Sequence, residues 1–387
     1  MLGIFAASAS AQATWTTVPA WGELRSIVYG DSEFVVVGAG GIVLTSPNGA
    51  TWTIQTSGTT RELYSVAWGD NLFVAVGDSG TILTSSNGTS WKVYSAGTAN
   101  WLHGVLWADN QFIAVGGNGT VVTSPDGIAW TSRASGTTSD FLGITFGGAS
   151  GKFVAVGGYL SPAIFTSSNG IAWAGVTTSA TPYMLNEVAW NGTSFVAIGD
   201  SGAIITSADG STWTSQVSGT TGTLADVIWA AGQFVIVGHE GIGVFGPILT
   251  SPTGITWTAR TSSTTQWLYG VTWGNSLFVA VGTEGTIITS PATQSGVLSA
   301  LPSPFKRAAV RIEGDHADYA LASAGHVSMR LFDFQGRLVD VLLDADQPAG
   351  AYSRSIRPAG ANRSFGKYIL SFKTGGTSLD RPVFLGQ

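Results

Sequence analysis

Seven times along this chain a segment close to FVAVG-x-x-G-x-I-x-T-S returns, and that repetition limits the available folds more than any other feature. Its Thr falls at Thr45, Thr84, Thr123, Thr166, Thr206, Thr250 and Thr289, with spacings of 39, 39, 43, 40, 44 and 39 residues. A period of about forty, rich in short β-branched runs and glycine turns, is the pattern of β-propeller blades, each a four-stranded antiparallel sheet.

The second unit shows the logic. Its opening run, YSVAW from Tyr64 to Trp68, alternates large and small residues as a strand with one inward face does. FVAV from Phe73 to Val76 is continuously apolar, as expected of a strand covered on both sides. GDSG at 77–80 and SSNG at 85–88 are turns, and the run from Trp91 to Tyr94 is the outermost strand. Matched rings recur at Tyr29, Trp68, Trp107, Phe146, Trp190, Trp229 and Trp273, and again at Phe34, Phe73, Phe112, Phe153, Phe195, Phe234 and Phe278. Rings at fixed positions fill the wedge between splayed blades.

The seventh unit ends soon after Ser290 without its outer strand, while Thr14, Trp15, Thr16 and Thr17 form an unclaimed strand at the other end. The expectation is an all-β chain: a seven-bladed β-propeller whose N-terminal strand closes the last blade, then a small C-terminal antiparallel β-sandwich. Such closure removes an open sheet edge.

Composition supports the division. Residues 14–295 hold fifteen Asp or Glu against six Lys or Arg, whereas residues 300–387 hold eight against eleven. All fifteen Trp precede residue 274. The boundaries follow as 14–295 for the propeller, 296–302 for a linker and 303–387 for the sandwich. A net charge of −6 with no basic run before residue 300 argues against nucleic acid. Zero cysteines exclude disulfides and thiol chemistry. Residues 1–13, ending AQA, read as the remnant of a signal peptide with its cleavage site, which places the protein outside a bacterial cell or on its surface. No run is long enough for a transmembrane helix.

The third turn of each unit has its own wording: SPNGATW from Ser46 to Trp52, with counterparts at Ser85, Ser124, Ser167, Ser207 and Ser251. It resembles the Asp-box, or BNR repeat, of sialidase-type and sortilin-type propellers, one residue shorter before the Trp. It is also similar to the repeats of photosystem II assembly factors, and the architecture is WD40-like. The resemblance implies a folding device away from the ligand face. Sialidase chemistry would further require three converging arginines; of the propeller's four, Arg133 and Arg260 lie three residues after the outer-strand Trp and belong on the rim, which leaves only Arg25 and Arg61. GDSG, present at 77–80 and at 199–202, reads as turn chemistry, since it recurs at equivalent blade positions.

Function is sought where the repeat is broken. Blades 4 and 6 have longer loops between their second and third strands, and the blade entries vary. The candidate ligand-binding residues are Arg61, Trp101, His103, Tyr159, Tyr183, His239, Glu240 and Trp267, all expected at one mouth of the ring. Exposed rings beside polar groups suit an extracellular glycan or protein partner. The rival reading is a polysaccharide-active glycoside hydrolase or lyase, using two of the carboxylates expected on loops of that face: Glu62, Asp78, Asp140, Asp200, Asp226, Glu240 and Glu284. No catalytic residue is assigned. No cofactor is expected, and no metal, because His103 and His239 lack a third ligand at recognisable spacing.

In the C-terminal part, Asp333, Gly336, Arg337 and Val339, then Gly350 and Tyr352, then GKYIL from Gly366 to Leu370 resemble type IX secretion sorting domains and their flagellar hook-cap, Ig-like relatives. The resemblance implies an export machinery as partner; a terminal adhesive module is the alternative.

Overall fold

The computed structural model describes residues 22–147, 151–159, 161–240, 246–262 and 264–291, and in the C-terminal part 310–313, 316–321, 325–332, 338–347, 350–355, 366–374 and 377–385. The chain divides into two compact units, Met1–Leu301 and Pro302–Gln387.

The first unit is a β-propeller. In blade 2, strands Leu63–Gly69, Leu72–Gly77, Thr81–Ser85 and Lys92–Ser95 pair in sequence order, each antiparallel to the last. Five further sheets repeat this order, and the seventh contains Leu268–Gly274, Leu277–Gly282 and Ile287–Pro291. The expected closing strand at 14–17 lies outside the described residues. What is described at the seam follows the other blades. The Gly285 N–H donates to the Gly22 carbonyl at 2.7 Å, just as Gly80 donates to Asn100 and Gly202 to Gly222.

The second strand of each blade supplies the core. Phe73, Val74, Ala75 and Val76 are fully buried. Because side chains alternate along a strand, Phe73 and Ala75 pack with Val35 and Val37 of blade 1, while Val74 and Val76 pack with Leu102 and Phe112 of blade 3. At the seam, Val279, Val281 and Ile287 join Leu24, Phe34 and Val36 in one cluster. Each such side chain contributes roughly 1.5–3 kcal/mol of transfer free energy, so the interfaces between blades hold the unit together.

The aromatic-Gly pairs work between blades as well. Trp68 lies 4.2 Å from Phe73 of its own sheet, ring to ring. It also lies against Gly30 of blade 1, where a Cβ would come within 2.2 Å of the indole. Gly69 meets Trp107 in the same way, and Gly274 meets Tyr29 across the seam. The glycine is there because the neighbour's ring needs its space.

The turns between third and fourth strands are closed by side chains. Asn48 Oδ1 accepts from the N–H groups of Ala50 and Thr51, both at 2.9 Å, and Trp52 Nε1 donates to the Gly49 carbonyl at 3.1 Å. Asp126 and Asp209 make the same pair of bonds, which hold both carboxyls below the usual carboxylate range. Ser46, which opens the first of these turns, pairs with Phe34 near the start of the second strand. These turns therefore share the end of the sheets at which the first and second strands join.

The second unit has a three-stranded and a four-stranded antiparallel sheet. Val327, Met329 and Leu331 are buried at alternate positions of Gly325–Phe332, which pairs with Leu338–Gln347. His326 bridges Asp344 and Asp346 at 3.1 and 3.0 Å. No helix among the described residues is long and apolar enough to cross a membrane.

Candidate functional site

All seven inner strands break register near their first residue. In blade 2, Leu63 faces Gly77 and Ser65 faces Val76, which leaves Tyr64 as an extra residue opposite no partner. This β-bulge upsets the simple alternation that the sequence suggests: Leu63 and Val66 are buried, while Tyr64 and Trp68 are half-buried. A bulge re-aims a side chain. Here it does so seven times, at Arg25, Tyr64, His103, Leu142, Asn186, Ala225 and Tyr269. The repeat thus presents one variable residue per blade at the face where the blade entries and the turns after the second strands meet.

Those turns have a fixed shape. Four of them carry a non-glycine residue in the left-handed region, Ser79, Asn118, Ser201 and Glu284, with φ from 51° to 56°. The following glycine touches the entry to the next blade: a Cβ on Gly80 would sit 2.3 Å from the Thr98 carbonyl oxygen.

Two clusters form on this face. In blades 2 and 3 the Tyr64 hydroxyl donates to Asp78 Oδ1 at 2.9 Å, and its ring lies 5.1 Å from His103 and 6.2 Å from Trp101. Burial, then the Asp78 carboxylate, pushes the Tyr64 phenol far above its ordinary value. Burial pulls His103 down, opposed by Asp140 and Asp78, so the imidazole is neutral near pH 7. Asp140 Oδ1 accepts from the Asn118 N–H at 2.7 Å. Trp101 keeps 54% of its surface exposed.

The second cluster joins blades 6, 7 and 1. His239 stacks on Trp267 at 4.4 Å and meets Tyr269 edge-on at 6.0 Å. The Arg25 guanidinium lies 4.8 Å over the Tyr269 ring, pairs with Glu23 and reaches Glu62 at 3.8 Å. Burial lowers His239, with Asp200 opposing, and raises Tyr269, with Glu23 adding to the effect. Glu62, which also acts on Tyr64, links the two clusters into one arc.

Of the residues singled out from sequence, Trp101 and His103 thus come together, as do His239 and Trp267. Arg61, Tyr183 and Glu240 line grooves between blades instead. Tyr183 and Glu240 border one of about 620 Å³ with Gln216 and Thr220, and Arg61 borders one of about 800 Å³ with Gln55 and Thr59. A third groove of the same kind lies beside Asn118 and Arg133. A groove that recurs at one place in several blades reflects the repeat, not a specialised pocket. Tyr159 is 80% exposed on the turn after the second strand of blade 4.

One expectation is corrected. Asp226 is not on a loop but within the inner strand Thr223–Ala230, where its Oδ2 accepts from the Val271 N–H of blade 7 at 2.7 Å. Its neighbour is Glu187 on the inner strand of blade 5, whose Oε1 accepts from the Val188 N–H at 2.9 Å. A Cβ on Gly143 of blade 4 would come within 2.4 Å of Glu187 Oε1, so that glycine makes the room. Both residues are half-buried, and protein surrounds their carboxyls. Burial raises Asp226 to about 6 and, together with Asp226, raises Glu187 well above the carboxylate range. The equivalent positions elsewhere are Ser26, Ser65, Gly104, Gly143 and Gly270, and that contrast is the sequence signal that could have found the pair.

Three of the mouth carboxylates are hydrogen-bonded to neighbours. Asp78 is bound by Tyr64, Asp200 accepts from Asn186 Nδ2 at 3.2 Å, and Glu284 accepts from Gln266 Nε2 at 3.0 Å. No group of three or more His, Asp or Glu suited to a metal gathers among the described residues.

No family model and no curated protein matches this chain. Solved structures do. YCF48 from Cyanidioschyzon merolae is 16% identical with a TM-score of 0.57, over 72% of this chain and 98% of its own. YCF48 bound to D1 peptide gives 16% and 0.60, over 73% and 98%. A catalytically inactive virginiamycin B lyase from Staphylococcus aureus, with quinupristin, gives 8% and 0.62, over 71% and 97%. At such identities the likeness shows the β-propeller fold.

Proposed function

We propose that this chain is a binding protein, secreted or displayed at a bacterial surface, whose propeller takes a ligand at the bulge-lined mouth. The observation that carries the reading is the arc itself. Seven equivalent positions hold seven side chains of which only tyrosine repeats, and rings and charges concentrate on blades 6, 7, 1, 2 and 3. A residue needed only for folding would repeat with the fold, as the buried Phe of each second strand does. A protein segment is the favoured ligand over a glycan; a solved propeller of the same fold is described with a bound peptide. The Ser-x-Asn/Asp-Gly turns fit an Asp-box-like role in folding, at the other end of the sheets. The C-terminal unit is proposed as the type IX sorting module that its motifs resemble.

The test uses the full chain on immobilised peptide and glycan libraries, beside Trp101→Ala and Trp267→Ala. Losing a hot-spot aromatic is expected to weaken the selected ligand at least about tenfold. Unchanged affinity in both variants would move the binding site off the mouth.

A further inference from the structure

We infer that the mouth is built for a polypeptide segment carrying arginine or lysine. This deepens the binding reading and rests on it. Glu23, Glu62, Asp78, Asp140, Asp200 and Glu284 stand on or beside the blade entries and turns of this face, against Arg25 and Arg61. The two histidines add no positive charge near neutral pH, because burial lowers both. An excess of one sign around a concave rim attracts the opposite sign over nanometre distances.

The molecule also holds a template for such a contact. Arg25 shows how this surface holds a guanidinium: the Tyr269 ring lies beneath it at 4.8 Å, Glu23 beside it, and Glu62 at 3.8 Å. Blades 2 and 3 repeat the arrangement with the bulged Tyr64 in the place of Tyr269 and His103 in the place of Arg25. Asp78 and Asp140 act electrostatically on that imidazole, and neither forms an ion pair among the described residues. The Trp101 indole, edge-on to His103 at 6.0 Å, presents its exposed surface alongside. Rings and carboxylates are therefore assembled at this second position while the residue in the cation's place is neutral. A cation over an exposed aromatic face, with a carboxylate within reach, is a recurrent recognition geometry. The template cation is a guanidinium, a group that arginine supplies in polypeptides, which favours a protein segment over an amino-sugar polymer.

The probe is a nine-residue peptide of alternating glycine and arginine, titrated against the full chain by Trp fluorescence or calorimetry. Controls are the same peptide with citrulline for arginine and a chitosan oligomer. Two triple variants remove equal charge: Glu62→Gln/Asp78→Asn/Asp140→Asn at the mouth, and Asp31→Asn/Asp70→Asn/Asp109→Asn at the far ends of the same strands. Asparagine suits the positive φ of the latter three positions. The expected result is binding of the arginine peptide only, weakened at least tenfold by the mouth triple and less than twofold by the other. Equal weakening by both triples, equal binding of the citrulline peptide, or tighter binding of chitosan would overturn the inference. If the arginine peptide fails while a library ligand still depends on Trp101 or Trp267, the mouth remains a binding site and only its cationic preference falls.

Discussion

The two faces of the propeller are made by opposite ends of the same strands, and they differ in what is allowed to vary. At one end, the Asn or Asp of the turn between the third and fourth strands accepts the same two backbone N–H groups in five blades, and blade 6 uses Thr253 in its place. Several aromatic-Gly contacts between blades lie at this end too. At the other end the backbone is as regular, bulge for bulge, but the side chains are not. A backbone bulge needs no particular side chain, so its occupant is free to serve a ligand. A glycine beneath a neighbour's indole has no such freedom.

The largest effects are expected at the regular face. Gly69→Ala drives a methyl to 2.0 Å from Trp107 and is expected to cost about 3 kcal/mol in denaturant unfolding. Gly274→Ala should cost as much, since it meets Tyr29 at 2.1 Å across the seam. A seam variant as stable as the parent would mean that blades 7 and 1 do not pack as described.

A smaller effect is expected from the carboxyl pair below the mouth. Exposed carboxyls titrate near 4, whereas folding raises Asp226 to about 6 and Glu187 as well. The folded chain then keeps protons that the unfolded chain releases. Stability from this pair is full below about pH 4 and is lost as pH rises through about 6 and beyond. Glu187→Gln, which keeps an oxygen for the Ile144 and Val188 N–H groups, should gain on the order of 1–2 kcal/mol over the parent at pH 8 and almost nothing at pH 4. Equal gains at both pH values would show that ionisation is not the cause.

The mildest effect returns to the regular face. Asn48→Ala removes the acceptor of two turn N–H groups and should cost about 1 kcal/mol in thermal or urea unfolding, with ligand affinity unchanged. A loss of affinity without a loss of stability would reverse the roles assigned to the two faces.

Much of the fold was legible because a blade is a local object. Its strands are adjacent in sequence, its turns announce themselves through Gly, Asn and Asp, and its second strand is apolar at every position from Phe73 to Val76. The candidate site was legible in part. Trp101, His103, His239 and Trp267 broke the repeat in entries and loops, where departures were sought. Arg25, Tyr64 and Tyr269 share the bulge position of His103 and escaped, because the shift from alternation at Leu63 is a matter of register with the second strand. Glu187 and Asp226 escaped likewise: Asp226 reads as a loop acid until its strand is seen to run from Thr223 to Ala230.

The blade is written in the amino-acid order: its period, its buried rings, and the turn chemistry that folds each sheet. Tertiary structure alone decided which blades' side chains meet. Tyr64 and His103 are neighbours at 5.1 Å although 39 residues separate them, and Arg25 reaches Tyr269 from the opposite end of the propeller. Periodicity governs contacts along a strand and across a hairpin. Contacts between blades depend on ring geometry, which brings the first and seventh sheets together and gathers one bulged residue from each sheet around a common axis.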